Sequence, residues 1–565
     1  MKPMLSLIAF GVALPIAVLA DSALERVLKN APDDAALVFA LPSIDRFVEG
    51  VVAFGKAIGV DELSDFDVDQ FLEAFDDAGF PAEFLDQIDT AAAFALTLRP
   101  DSDGPLCVLV VTDPKVFDAA ALETIQSSLR EAGQPTLVRL RNGCLIIGDD
   151  ESDVAAALEA KGELVERFGA ATRGLLDEPR VLFYVNVPEW NEVIGEGLQF
   201  AESMLQMGMQ MAGPQAEAGL KFWKMTFAAT RMAVQESRTY AVAGVIDADG
   251  LRVHDRATFD PDGAIGAYLK SVRKTKGNLL RGLPDDNTAI AFGCEWSVPE
   301  GTETLSEKIF KRMLELSDMQ DKLEPGELAS ALKLAASVYR RLTGYNAAVS
   351  VGPDSKGMLI SGMYFSSDAK AVMKDMGGLF ECSSRCMSVF AADVAMNLQR
   401  TRETIGAVQA DVYQFDSDDE TLQEMMEGLY GESPRFFVAP HKEGLLHAIG
   451  SASNARLRMG AALSGNAPEL TTNRHIVAAV KALSPDPQIA CFVDLPNLME
   501  LLMGAARASG VPIPSIKFPK TDSAYAAFGV YLKPDSLRAE LFIPASAVKT
   551  AVKTVKMLSG HKEPS

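Results

Sequence analysis

The sequence predicts an α+β fold: two homologous halves, each of two strand-helix-hairpin-helix modules, with largely antiparallel sheets covered by helices. Three recurrences predict it. An apolar run of strand length, then proline and an amphipathic helix, occurs as ALVFALPSIDRFVEGV from Ala36 and VLFYVNVPEWNEVIGEGL from Val181. It returns as AIAFGCEWSVPEGTETL from Ala289 and IACFVDLPNLMELLMGA from Ile489. A strand, an Asp-containing turn, a second strand and a helix recur from Thr90, Tyr240, Tyr345 and Tyr525. A strand, a tight turn, a strand and a helix occur from Val138 and again from Phe436. The order in the first half is one, two, three, one, two. The second half repeats it with extra residues near Asp375 to Gln409. The expected boundaries are 31–283 (modules about 31–175 and 176–283), 284–558 (modules about 284–470 and 471–558) and a polar tail at 559–565.

The chain opens MKPMLSLIAFGVALPIAVLADS. Lys2 gives a positive start, Leu5 to Leu19 an apolar core, and Val18-Leu19-Ala20 a small-residue site with cleavage expected after Ala20. This is the pattern of a signal peptide, residues 1–20, and it places the mature chain in the periplasm or outside the cell. The apolar run is short for a membrane span and contains Pro15. No later stretch approaches the ~18 uninterrupted apolar residues of a span, so no stable span is expected after signal removal.

Residues Ser22 to Asn30 read as helix. Ala36 to Leu41 reads as a buried strand, Pro42 ends it, and Ser43 can cap the helix that follows. Ile44, Phe47, Val48, Val51 and Val52 then fall on one helical face. The acidic segment Asp61 to Ile88 carries five Phe and predicts one or two short helices over the sheet. Ala91 to Leu98 and Leu106 to Thr112 predict a hairpin through the turn at Asp101 to Gly104. Asn142-Gly143 is the strongest hairpin signal in the chain, because both central residues of that turn need positive φ. The first module reads β-α-β-β-α-β and resembles a split βαβ unit.

A formal charge of −24 repels phosphate backbones, and no run of Lys and Arg offsets it, so nucleic-acid binding is not expected. The six cysteines allow three bridges in ~15 pairings. Cys107, Cys144, Cys294 and Cys491 sit in apolar strand-like runs, where a free thiol packs as a small hydrophobe. Cys382 and Cys386 alone are close in sequence and form a candidate metal-linked or local pair.

Signatures for standard zinc, haem, thioredoxin-like, P-loop, dinucleotide and serine-hydrolase chemistry are missing. His441 and His447 flank a turn and read as surface histidines. The turns at Asp101 to Gly104 and Asp247 to Gly250 start like calcium loops but lack the later ligands, so turn geometry accounts for them. Asp149 to Asp153 and Asp416 to Glu420 precede helices, where negative charge complements the dipole. The cluster MLQMGMQM holds Met204, Met207, Met209 and Met211. Thioethers favour Cu(I), which makes these four a candidate metal set; Met204, Met207 and Met211 also share a helical face, as in an apolar stripe.

The segment NGCLIIGDDESDVAAAL, with the strand-then-proline repeats and the exported start, resembles exported bacterial proteins of an uncharacterised family (a domain of unknown function). The resemblance implies an α+β repeat architecture outside the cytoplasm. It brings no activity, cofactor or site residue. The second-half segment LLHAIGSASNARLRMGAAL lacks the acidic run, so the fold does not require that run.

The expected function is therefore a non-enzymatic exported protein, without cofactor, that binds a protein partner or an apolar ligand through helices such as Gly195 to Met211. The competing expectations are a structural or assembly component of the cell envelope, and a metal-binding protein or hydrolase with a scattered site.

Overall fold

The computed structural model describes residues 23–558 apart from 103, 135–136, 177, 179, 212–216, 273–276, 286, 296–332, 335–336, 339, 353–356, 379–395, 418–419, 466–467 and 509–523. The signal segment with Ala20, the Cys382–Cys386 pair and the tail at 559–565 lie outside the described residues. Those residues fold as mixed α+β, with eighteen strands among them and antiparallel pairing between neighbours. They form two compact units.

The first unit holds the chain up to Val193, Ser237–Phe259 and Ser536–Lys549. Its strands are β1 (Leu37–Leu41), β2 (Phe94–Leu98), β3 (Leu106–Val110), β4 (Leu137–Arg141), β5 (Cys144–Gly148), β6 (Val181–Asn186), β7 (Ser237–Asp247), β8 (Gly250–Phe259) and β18 (Ser536–Pro544). Pairing runs β4-β5-β3-β2-β1-β6-β7-β8-β18. Helix α1 (Ala23–Lys29) packs near β2 and β3 and completes a core that includes Val27, Leu28, Val38, Leu109, Ile146 and Tyr184.

The first recurring phrase forms for the expected reasons. Pro42 follows β1, and Ser43 Oγ accepts from Arg46 N–H at 3.2 Å to start α2 (Ile44–Ile58). Ile44, Val48, Val51, Phe54 and Ile58 are buried along one face, and the helix ends at Gly59 with φ 75°. Gly50 lets α2 approach β7: a Cβ there would lie 2.3 Å from the Ile246 carbonyl oxygen. The acidic segment becomes α3 (Asp61–Ser64), α4 (Val68–Asp76) and a 3₁₀ turn at Ala82–Gln87. The chain then returns to its starting end, where Asp45 N–H donates to Thr90 O at 3.0 Å. That out-and-back path makes β2 antiparallel to β1 and its direct neighbour. A split βαβ unit would instead place a strand between them, so that expectation is corrected.

Helix α5 (Ala119–Glu131) leads to the β4–β5 hairpin, whose turn residues Asn142 and Gly143 have φ 49° and 75°. Helices α6 (Glu151–Glu159) and α7 (Glu163–Thr172) follow. Asp150 caps α6 by accepting from Ser152 N–H, so the acidic run does begin a helix. Asp33 caps α7 from a distance, accepting from the N–H groups of Lys161, Gly162 and Glu163, and these bonds hold its carboxyl below the usual range against the opposing effect of burial.

The second unit holds Ile194–Glu236, Asp260–Asp535 and the chain from Thr550. Its strands are β9 (Thr288–Glu295), β10 (Leu342–Val351), β11 (Met358–Ser366), β12 (Met396–Ile405), β13 (Val408–Ser417), β14 (Arg435–His441), β15 (Gly444–Gly450), β16 (Ile489–Asp494) and β17 (Tyr525–Lys533). Pairing runs β12-β13-β14-β15-β11-β10-β9-β16-β17. The units thus share the order hairpin, hairpin, central strand, central strand, hairpin strand. The β12–β13 hairpin is additional and falls partly in the insertion near Asp375 to Gln409. The compact units do not follow the expected halves: β18 clusters with the first unit, and 194–236 and 260–283 with the second.

No helix among the described residues is long and apolar enough to cross a membrane.

Candidate functional site

Helix α8 (Val187–Met211) begins directly after β6, with Pro188 at its second position, where a missing N–H costs nothing. The next helix, α9 (Glu217–Glu236), pairs with it through an Arg231–Glu202 salt bridge. Val193, Phe200, Met204 and Met207 project from α8 with 55%, 69%, 52% and 58% of their surface exposed. At 100° per residue these four fall within an arc of about 60°. Glu202 lies about 180° from the centre of that arc, so the side of α8 that meets α9 is opposite the stripe. Ile194, Leu198 and Leu205 are half-buried and lie about 110–150° from the centre of the stripe, on the same side as Glu202. Gly195, Gly197 and Gly208 have open space around them.

Four exposed large apolar side chains in one row on a helix are unusual. Covering four half-exposed side chains stabilises a complex by roughly 4 kcal/mol, taking about 1 kcal/mol for each half burial. That corresponds to only millimolar affinity. The row spans about four turns of helix from Val193 to Met207, which favours a helix or a long aliphatic chain over a small solute. The charged residues of α8 are Glu189, Glu192, Glu196 and Glu202, with no Lys or Arg, so an anionic occupant is disfavoured.

Of the sequence-nominated residues, Met204 and Met207 are therefore surface groups and not core. Met209 and Met211 belong to α8, but their side chains lie outside the described residues. No cluster of His, Cys, Asp or Glu with metal-site geometry occurs among the described residues. Met232, on α9, is buried.

Cys107, Cys144, Cys294 and Cys491 are free thiols. Burial pushes Cys144 and Cys294 each up to about 11 and raises Cys107 and Cys491 as well. All four are protonated, weakly reactive packing groups.

Two buried polar clusters escaped sequence reasoning. In the first unit Arg538 Nη2 meets Glu540 Oε1 at 2.6 Å and His254 Nδ1 at 2.9 Å, with Glu540 buried. Burial lowers the His254 pKa, Glu540 opposes that shift, and Arg538 adds to it. Glu540 and His254 are register partners across β18 and β8, so the cluster fastens β18 to its neighbour. In the second unit His447 is buried, which corrects its reading as a surface group. Its ring stacks on Tyr345 at 5.4 Å and 10° and meets Tyr364 at 5.0 Å. No well-aligned hydrogen bond reaches either ring nitrogen, and burial pushes the pKa down to about 4 against a smaller opposing effect of the Asn346 backbone carbonyl. The near-continuous apolar run around it, as in a strand covered on both faces, is the signal that could have found it.

No family model matches the chain, and no curated protein matches it. Among solved structures it is similar to crystal form III of TP0453, at 12% identity and a TM-score of 0.21, over 49% of this chain and 99% of that one. Crystal forms I and IV of TP0453 give 10% identity each, TM-scores of 0.20 and 0.19, and coverage of 50% and 51% of this chain and 98% and 99% of theirs. Scores this low carry no conclusion about this protein.

Proposed function

We propose that the chain is an exported, non-enzymatic protein that binds an apolar partner through the exposed stripe of α8. The observation that carries this reading is the row Val193, Phe200, Met204 and Met207, displayed on the side of α8 away from α9. Lys2, the apolar run Leu5 to Leu19 and the small residues before Asp21 support export. The acid-only helix supports a neutral or basic occupant. We also propose that the chain arose by duplication; the common strand order of the two units and the recurring sequence phrases support that reading.

The test is native mass spectrometry of protein purified from the exporting cell. The wild type retains a discrete aliphatic ligand or a stoichiometric protein partner. The Phe200→Glu/Met204→Glu double variant, with its surface changes costing little stability, emerges bare. Two equally bare proteins, or equal retention by both, would sink the proposal.

A further inference from the structure

We infer that His447 makes the seam between β11 and β15 acid-sensitive, so that acidification loosens the block β12–β15 from the rest of the second unit's sheet. The seam is the six-residue register from Ile360–Ile449 to Phe365–Gly444, and it joins the β9–β11 strands to the β12–β15 strands. His447 sits inside it, opposite Gly362 on β11 and Val438 on β14. Gly362 makes room for the ring: a Cβ there would lie 2.8 Å from His447 Nε2 and still closer to the Asn346 carbonyl oxygen.

The ring is enclosed by Tyr345, Tyr364 and Phe436, with the Phe436 centroid at 6.0 Å. A neutral imidazole tolerates this aromatic cage. An imidazolium carries two N–H donors and a full charge, and the nearby polar group is the Asn346 backbone carbonyl. The stacked phenol face of Tyr345 offsets only part of desolvating that charge.

Several charged groups on the elements around the cage already have partners among the described residues. Asp411 on β13 takes Arg400 at 2.6 Å and Arg402 at 3.1 Å from β12. Asp375, on the helical turns at 369–378, pairs with Arg341, and Glu443 at the β14–β15 turn takes Arg281 at 3.2 Å. The two tyrosines cannot supply a counter-charge, because burial pushes Tyr345 up to about 12 and Tyr364 higher. Among the described residues no charged group acts on the ring, so protonation finds no counter-ion there and is relieved by opening the seam to water.

The sign follows from linkage. The native pKa lies below the unfolded value, so the unfolded chain binds the extra proton first; the cost is absent above about pH 6.5 and grows as pH falls toward 4.

The experiment is amide hydrogen exchange of the full chain between pH 7.5 and 4.5, corrected for intrinsic exchange, on wild type and His447→Phe. In the wild type, protection of β11 and β15 falls by tenfold or more across this range, and in His447→Phe it changes less than threefold. Equal losses in both overturn the inference. If His447→Phe does not fold, His447→Leu replaces it. An NMR titration of the wild-type His447 ring gives an independent reading: a pKa at the ordinary value near 6.5 also overturns the inference, whereas one well below it supports it.

Discussion

At the residue scale, Asp153 depends most on a single neighbour. Its buried carboxylate accepts from Arg99 Nη1 at 2.9 Å and from the Ser102 hydroxyl, and the same guanidinium holds exposed Asp34 at 2.6 Å. Arg99→Ala leaves a buried carboxylate without its cation. The cost is about 2 kcal/mol, below the full penalty for breaking a buried pair because Arg99 is partly exposed. Asp34→Ala, at the exposed end, costs less than about 1 kcal/mol. Urea unfolding of both variants checks the ranking, and equal losses would contradict it. That the acidic run begins a helix was legible in the sequence, and Asp150 acts there on Ser152 two residues away. The ion pair was not, because Arg99 reaches 54 residues to Asp153 and 65 to Asp34 without a local signal. His447 failed for a related reason. Its place beside a turn suggested solvent, but both faces of β15 are covered and no polar alternation marks which side is inside.

At the element scale, two glycines on helices have opposite meanings. Gly50 on α2 faces the Ile246 carbonyl oxygen, so Gly50→Ala forces α2 away from β7 and destabilises by roughly 1–3 kcal/mol. Gly195 on α8 faces open space, so Gly195→Ala stabilises by up to about 1 kcal/mol through helix propensity alone. Thermal unfolding of the two variants reads the signs, and a stabilised Gly50→Ala would contradict the close packing of α2. Elements with strong local chemistry were legible: the Ser43 cap, the Asn142-Gly143 hairpin, and strands followed by Pro42 and Pro188. The β12–β13 hairpin was missed. From Gln399 to Thr404 β12 has no apolar residue and carries Arg400, Arg402 and Glu403, and it pairs on one side only among the described residues. Charge on a strand that borders a sheet discourages further pairing and hides the strand from an apolarity search.

At the scale of the whole molecule, the repeated phrases were legible and their assembly was not. Sequence order assigns β18 to the second half, yet it pairs with β8 over nine residues and is fastened there by Arg538, Glu540 and His254. Periodicity identifies a strand but not its neighbour. The same limit applied to α8: its Met spacing announced an apolar stripe, whereas only packing reveals that Glu202 faces α9 and leaves the stripe uncovered. The net charge of −24 constrains the proposed occupant, since an acidic protein with an acid-only helix repels anionic surfaces.

The proposed binding surface is tested most directly by a photo-crosslinking amino acid placed singly at positions 200, 204, 207 and 199 in the exporting cell. Phe200, Met204 and Met207 lie on the stripe; Gln199 is exposed too but points about 120° away. The account predicts one adduct of the same mass from the three stripe positions and none from 199. Equal labelling at all four positions, or none at any, would contradict it.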